Sequence, residues 1–343
     1  LRALRSSSPT PADLPDRCLA VIAELTALRE TLRREDPASG DAIAGLDRTI
    51  GVLERSSEAA RTLVRRLLAV SRAAKDLVDE MQFDFLFDPS RKIFSIGYRV
   101  TDGGLDSSAY DLLASEARLA SFVAIAKGDV PVSHWFHLGR PMTPVGLGSA
   151  LVSWSGSMFE YLMPALVMQS PAGSLLEETY RLVVRRHMGY GAEHGVPWGI
   201  SEAAYNVRDL DLTYQYSNFG VPGLGLERGL GEDLVVAPYA TALAAMVDPV
   251  AATRNLSALV AVGARGAYGF YEALDYTASR IPEGASVAIV RAYMAHHQGM
   301  TLVALANVLH DGVMRARFHA EPIIQATDLL LQERPPRDVA VAR

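Results

Sequence analysis

The chain is poor in cysteine and has no long hydrophobic run, and each absence narrows what it can be. Cys18 is the only cysteine among 343 residues, so no intrachain disulfide and no cluster of thiolate metal ligands can form. This usage fits a reducing compartment. The longest apolar stretch, residues 234–247, is interrupted by Pro238 and is too short to span a membrane.

Targeting signals are also missing, since the sequence does not begin with a charged start followed by an apolar block. It begins without Met and ends in the Pro- and Arg-rich tail "QERPPRDVAVAR". We therefore expect a piece of a longer polypeptide in which residues 333–343 are a linker tail.

Excess positive charge is absent as well. The net charge is −6, with 49% apolar and 21% charged residues, a profile typical of a globular chain. Nothing in this charge favours a nucleic-acid or acidic-lipid partner, so no nucleic-acid binding is predicted. A neutral polymer suits such a surface better.

Several motifs that hold cofactors or nucleophiles do not occur. The HExxH, GxGxxG, GxxxxGK[ST] and GxSxG patterns are absent, and no cofactor or metal is predicted. The glycines of "GVPGLGLERGLG" are predicted to permit tight turns in a loop packed against substrate or core. His296 and His297 are adjacent and point to different helix faces, so with Gln298 they are predicted to be structural or sugar-contacting residues.

Helical periodicity dominates the organisation of the chain. Residues 1–80 are predicted to be an N-terminal helical segment with two helices separated by "EDPASGD". Alternating residues around Asp88-Pro89-Ser90 predict a β-hairpin, and a helix is predicted from Ser108 to a C-cap at Gly128. Further helices are predicted at residues 159–169, 175–194, 237–246, 249–264, 295–309 and 322–331.

Many helices, few hairpins and no βαβ alternation predict an all-α domain over residues 81–332. The long loops are rich in Trp, Tyr and Asn. They favour an α/α toroid over a helix bundle, because toroids place such loops at one rim above a cleft.

Glu116 is the first candidate for chemistry. On the predicted helix, Leu112, Leu119 and Val123 share a face, and Glu116 falls in the middle of it. A carboxylate on an inward face must be paired, protonated or functional. A buried salt bridge and a catalytic role remain equal alternatives at this point.

Glu202, in "VPWGISEAAYN", is the second candidate. It is predicted in the first turn of a short helix capped by Ser201, where a helix-start acid is the ordinary explanation. Its neighbours suggest a sugar cleft, because aromatic faces stack on pyranose rings and Asn or Tyr groups hydrogen-bond hydroxyls. These predicted substrate-binding neighbours are Trp198, Tyr205, Asn206, Tyr214 and Tyr216, which with Tyr271 we expect to line a cleft and not the core.

Glu160 in "SWSGSMFEYLMP" and Glu272 in "GAYGFYEALDYT" have similar surroundings. Each is predicted either to accept hydrogen bonds from sugar at a subsite or to be a helix-start acid beside a core aromatic. For either glutamate taken singly the second alternative is favoured, but four such sites in one chain favour a carbohydrate function.

Six stretches, in order, resemble the cyclization (glycoamylase-like) domain of cyclic β-1,2-glucan synthases. They are "YDLLASEARLASFVAIAKGDVPVSHWFHLGR", "MFEYLMP", "GVPWGISEAAYN", "YQYSNFGVPGLGLERGLGEDLVVAPYATALA", "GFYEALDYT" and "MAHHQGMTLVALANVL". The resemblance implies an (α/α)6 toroid with short β-hairpin insertions, and a retaining transglycosylation that converts linear into cyclic β-1,2-glucan. It maps the catalytic pair onto Glu116 and Glu202, without deciding which is nucleophile and which acid/base.

The resemblance also implies partners and a location. The partners are β-1,2-glucan and two further domains of a parent chain, a glucosyltransferase and a phosphorylase-like region. The expected location is the cytoplasmic side of the inner membrane within a membrane-anchored parent, with this stretch itself soluble. The alternatives are an inverting endo-β-1,2-glucanase of the same fold and a non-catalytic glucan-binding module.

Overall fold

A computed structural model describes residues 9–36 and 38–336 of the chain. The chain divides into two compact units, Leu1–Met81 and Gln82–Arg343. The proposed linker tail from residue 337 onward lies outside the described residues.

The first unit contains two helices, as predicted: α1 (Leu14–Glu35) and α2 (Gly40–Glu80). The two helices pack against each other, and Arg29 of α1 reaches Asp47 of α2 at 2.7 Å. Cys18 is buried.

The second unit contains more helix than strand, and α6, α8 and α9 form where the periodicity predicts them. Its helices are α3 (Arg118–Lys127), α4 (Ser133–His137), α5 (Met158–Leu162), α6 (Leu175–His194), α7 (Pro238–Ala244), α8 (Pro249–Ala261), α9 (Ala295–Leu309), α10 (Val313–Phe318) and α11 (Pro322–Gln325). Two predicted helices end early and continue as short 3-10 turns, at Pro164–Leu166 after α5 and at Asp328–Gln332 after α11.

The second unit has more β-structure than an all-α prediction allows. In the part of the chain that the structure describes, short antiparallel strands form six small sheets. The predicted hairpin at Asp88-Pro89-Ser90 is confirmed, because Phe87 pairs with Phe94 across it. The strands are β1 (Phe87–Asp88), β2 (Ile93–Ser95), β3 (Tyr98–Arg99), β4 (Gly104–Leu105), β5 (Ala109–Tyr110), β6 (Met142–Val145), β7 (Gly148–Leu151), β8 (Ala203–Arg208), β9 (Tyr214–Ser217), β10 (Val235–Val236), β11 (Arg265–Gly266), β12 (Gly269–Phe270), β13 (Ala273–Asp275) and β14 (Ala288–Val290).

The core of this unit is assembled around α5, α6 and α7. Tyr161, Val183 and Leu243 are fully buried, and α7 packs against α5, α8 and α9. Two predictions about glycines are confirmed. Gly128 ends α3 in the left-handed conformation at φ 81°, and Gly220 and Gly225 bring their backbones directly against Ser155.

No helix among the described residues is both long enough and apolar enough to cross a membrane.

Candidate active site

Glu202 lies immediately before β8, at the base of the β8–β9 hairpin. β9 runs back antiparallel and places the Tyr216 hydroxyl 2.8 Å from Glu202 Oε1, to which it donates a hydrogen bond. The predicted helix at this position is wrong. Ser201 does not cap a helix: its buried hydroxyl accepts from the Phe159 backbone N–H at 3.0 Å and pairs with the Tyr239 hydroxyl at 2.8 Å.

A hydrogen-bonded chain continues behind Tyr216. The Tyr216 hydroxyl lies 3.4 Å from His297 Nε2, and His297 Nδ1 lies 3.0 Å from Glu272 Oε2. His297 is 1% exposed and stacks on the Tyr239 ring at 3.7 Å between centroids. Because both faces and both nitrogens of the imidazole have neighbours, this chain holds Tyr216 and therefore Glu202 in place.

Glu116 lies in the turn before α3 and not on a helix, so the predicted helix over residues 108–117 is wrong. Tyr110 is drawn into β5, where it pairs with Phe94, and α3 begins only at Arg118. Ser115 donates to Glu116 Oε2 at 3.1 Å. The Ser115 hydroxyl also accepts from the Ala117 N–H at 3.2 Å, which fixes the turn.

Arg118 ties this turn to α5. Its guanidinium is 1% exposed and donates to the carbonyl of Ser115 at 2.8 Å, to the carbonyl of Glu160 at 3.0 Å and to the Tyr180 hydroxyl at 2.8 Å. It also donates to the Tyr161 carbonyl. None of these acceptors in the described chain is a carboxylate. Arg118 therefore does not form the buried salt bridge considered for Glu116. It contacts the turn that carries Glu116 through the backbone carbonyl of Ser115.

Glu160 caps the start of α5 through a reciprocal capping box with Ser157. Its carboxylate also accepts from the hydroxyls of Ser153 and Ser155, both at 2.7 Å. With only 7% of the residue exposed, the predicted subsite role is wrong, and the helix-start alternative is confirmed. Glu160 is a buried acid held by serines.

Glu116, Glu202 and Glu160 act on one another electrostatically. Burial raises the pKa of Glu116, and the charge of Glu160 raises it further. Burial also raises the pKa of Glu202, the Tyr216 hydrogen bond opposes this, and the charges of Glu116 and Glu160 add to the rise. Burial raises the pKa of Tyr110, and the charges of both Glu116 and Glu202 contribute. The candidate pair therefore shares one environment with Tyr110 beside it.

Trp198 belongs to the core, so the prediction that it lines a cleft and not the core is wrong. It is 9% exposed, and a Cβ added at Gly191 of α6 would lie 2.8 Å from the Trp198 Cβ. Asn255 of α8 binds both the N–H and the carbonyl of Trp198. Contact with two helices, which no local pattern signals, buries this ring.

Three further predicted residues lie on β8 and β9 and contact residues other than Glu202. Asn206 donates to the Arg280 carbonyl at 2.7 Å, and Tyr205 lies under the Arg280 guanidinium at 4.9 Å. Tyr214 accepts from Arg208 at 2.6 Å. Asn206 and Tyr214 line a groove of about 460 Å³. Tyr205 and Tyr214 both pack against the core.

The remaining predicted residues gather around His297. Tyr271, Glu272 and Gln298 line a small cavity of about 90 Å³ with it. The helix-start alternative for Glu272 is wrong, because Glu272 precedes β13. His296 is exposed on α9, with its ring 4.0 Å from that of His297.

Sequence reasoning missed Tyr110, Arg118 and Tyr239. Arg118 and Tyr239 bind backbone carbonyls of the candidate site, and Tyr110 is affected by the charges of Glu116 and Glu202. Arg118 follows Glu116 by two positions, and a lone arginine inside an apolar helix was the one available signal. Tyr110 and Tyr239 reach the site only through tertiary packing. Among residues 9–36 and 38–336, no group of three or more His, Cys, Asp or Glu side chains is arranged to hold a metal ion.

A family model described as "Putative glucoamylase" matches residues 109–322, which span both glutamates and the Tyr216–His297–Glu272 chain. The protein belongs to this glycoamylase family.

A full-length relative also matches most of the chain. The chain is 57% identical over 283 residues, or 82% of its length, to the cyclic β-(1,2)-glucan synthase NdvB of Rhizobium meliloti (strain 1021), so the resemblance noted in the sequence is confirmed. It spans only 10% of that relative.

Two solved structures share the fold. One is a "putative glucoamylase" from Bacteroides caccae, with TM-score 0.57 and 15% identity over 93% of this chain and 71% of that one. The other is an endo-β-1,2-glucanase mutant from Talaromyces funiculosus in complex with β-1,2-glucan, with TM-score 0.57 and 14% identity over 94% of this chain and 62% of that one. At these identities the likeness concerns the fold alone.

Proposed function

We propose that this chain is a retaining transglycosylase that cuts linear β-1,2-glucan and joins the new end to the same chain, giving cyclic β-1,2-glucan. The observation that carries the proposal is the pair Glu116 and Glu202, two half-buried carboxylates, of which the first contributes through its charge to the raised pKa of the second. Glycoside chemistry with retention needs such a pair, with carboxyl groups roughly 5–5.5 Å apart. The similarity to the glucan synthase suggests which glucan is the substrate.

Glu202 is the nucleophile in this proposal. The Tyr216 hydroxyl donates to its carboxylate, and a hydrogen bond to the charged form favours an ionised group. The Glu272–His297 pair lies behind Tyr216 and contacts its hydroxyl, which positions the tyrosine beside Glu202. In the first step Glu202 attacks the anomeric carbon while the bond to the glycosidic oxygen breaks.

Glu116 is the acid/base. Burial raises its pKa, as a proton donor working near neutral pH requires. It gives its proton to the leaving oxygen, directly or through a substrate hydroxyl. In the second step a hydroxyl at the other end of the glucan attacks the anomeric carbon, its proton goes to Glu116, and the bond to Glu202 breaks.

The finer architecture belongs to the same proposal. Residues 81–332 are the catalytic domain, and its helices form an (α/α)6 toroid whose loops carry Glu116 and Glu202. The fold likeness to an endo-β-1,2-glucanase supports this arrangement. Because the chain spans a tenth of its curated relative, glucosyltransferase and phosphorylase-like regions of a membrane-anchored parent are its proposed partners, on the cytoplasmic side of the inner membrane.

A second candidate is an inverting endo-β-1,2-glucanase, which the fold likeness to a glucanase favours. In that case one carboxylate activates a water, and the two carboxyl groups lie roughly 6.5–9.5 Å apart. A non-catalytic glucan-binding module is the third alternative from the sequence, and two paired carboxylates with raised pKa argue against it.

Incubation of the chain with linear β-1,2-glucan separates these functions. We expect cyclic products with little new reducing sugar, and loss of turnover with retained glucan binding in Glu116→Gln and Glu202→Gln. Glu283→Gln is the matched control, because Glu283 is exposed in the turn before β14 and should keep wild-type turnover. Steady release of reducing ends with inverted anomeric configuration would assign the glucanase reaction instead.

A further inference from the structure

Trp154 is exposed on a loop that the backbone holds rigidly. The residue is 58% exposed, whereas its neighbours Ser153 and Ser155 are 0% and 2% exposed. Both serines point inward to the Glu160 carboxylate, so the tryptophan points outward, as expected for an extended segment. The exposed Trp154 side chain therefore lies next to Glu160, whose charge contributes to the raised pKa of both Glu116 and Glu202.

The backbone under Trp154 has little freedom to move. Ser153 bridges to Gly225, and the Glu227 N–H donates to the Trp154 carbonyl at 2.9 Å. A Cβ at Gly220 would lie 1.7 Å from the Ser155 oxygen, so only glycine permits this crossing of the two loops. A rigid aromatic platform can stack on a ligand without a large loss of side-chain entropy on binding.

A polar pair stands beside the platform and connects it to the candidate catalytic residues. The Asn218 side chain donates to the Glu227 carboxylate at 2.5 Å. Asn218 comes two residues after Tyr216, the residue that binds Glu202, and directly follows the end of β9 at Ser217. Burial raises the pKa of Glu227, and the charge of Glu160, the acid bound by Ser153 and Ser155 on either side of Trp154, raises it further.

We infer that Trp154, Asn218 and Glu227 form a sugar-binding subsite next to the catalytic pair, which takes one glucose unit of a β-glucan. Trp154 stacks on the apolar face of the pyranose ring, and the Asn218–Glu227 pair binds its hydroxyls. The inference rests on the proposed function for the identity of the glucan. It assigns the aromatic platform to Trp154, in place of the buried Trp198.

Tryptophan fluorescence offers a direct test in the full chain. All three tryptophans lie in the described residues, and Trp135 and Trp198 are 1% and 9% exposed. Acrylamide should therefore quench mainly Trp154. In the Glu202→Gln chain, which should not consume its ligand, we expect linear β-1,2-glucan to reduce quenching at least twofold, and Trp154→Phe to remove that change. Unaltered quenching at glucan concentrations that bind would overturn the subsite, whatever turnover the wild-type chain shows.

Kinetics supply the second readout. Trp154→Ala should raise KM roughly tenfold with kcat less affected, the size expected for loss of one well-packed aromatic contact. Trp154→Phe should restore most of it, because a flat ring remains. Phe136→Ala, at an exposed aromatic of α4, is the control and should match the wild type. Equal KM values for Trp154→Ala and the control would also overturn the subsite. A chain that is protected by glucan but does not cleave it would keep the subsite and refute the proposed function.

Discussion

The hydroxyl of Tyr216 is a single atom on which the proposed chemistry depends. Tyr216→Phe keeps the ring and removes the hydrogen bond to Glu202. That bond lowers the pKa of Glu202 against the effect of burial, so its loss should raise this pKa further. We expect kcat/KM to fall roughly 10- to 100-fold, the usual range for a hydrogen bond to a charged group. The acidic limb of the kcat/KM profile should also move to higher pH.

Tyr98→Phe is a suitable control, since Tyr98 is an exposed tyrosine on β3. A purely structural role for Tyr216 would lower activity at all pH values equally. An unshifted acidic limb would therefore contradict the assignment of Glu202 as the ionised nucleophile.

Single residues also show what the sequence could and could not predict. Both glutamates became candidates through their surroundings, and the family resemblance made them the proposed pair, while their local conformations were predicted wrongly. Trp198 and Trp154 both lie in loops rich in Gly and Ser, where no periodicity reports burial. Only the tertiary contacts with α6 and α8 decide that Trp198 is buried.

At the level of elements, two long helices were predicted with the bounds that the structure shows. The bounds of α6 and α9 agree with the prediction, and Ser174 and Gly195 cap the two ends of α6. The helix predicted from Ser108 failed in its first half, because pairing of Tyr110 with Phe94 in β5 outweighs local helix propensity. Strands of two or three residues leave too short a pattern to be recognised in advance.

The crossing of the two loops under Trp154 yields a prediction about an element. Gly220→Ala would place a Cβ 1.7 Å from the Ser155 oxygen, and neither backbone can move without breaking the bonds around Glu160. We expect a loss of unfolding free energy at the upper end of roughly 1–3 kcal/mol, measured by urea denaturation.

Gly299→Ala provides the matched comparison. A Cβ at Gly299 of α9 would have nothing within 4 Å, and alanine favours a helix over glycine by roughly 0.5–1 kcal/mol. This variant should be as stable as the wild type or slightly more so. Similar stability for both variants would show that the loop crossing is more adaptable than its geometry indicates.

For the whole molecule, charge predicts how glucan binding responds to salt. The chain carries a net charge of −6, and its proposed ligand is neutral. We expect the Kd for linear β-1,2-glucan to change less than about twofold between about 50 mM and about 500 mM NaCl, because screening affects only charged partners. Isothermal titration at both salt concentrations would measure it. A tenfold loss of affinity at high salt would instead indicate an anionic ligand.

The grouping of Glu116, Glu202 and Glu160 sets the proposed catalysis against folding stability. An acid whose pKa is raised on folding stabilises the protein below its unfolded value of about 4.3, and this contribution is lost as the pH rises through the folded-state pKa. At neutral pH the burial of Glu116 and Glu202 therefore lowers the free energy of unfolding. Glu116→Gln should melt about 2–4 °C higher than the wild type at pH 7.5, with the difference gone near pH 4 and no such gain in Glu283→Gln. A higher melting temperature in an inactive Glu116→Gln variant would mean that the two acids serve the proposed reaction and lower the stability of the fold.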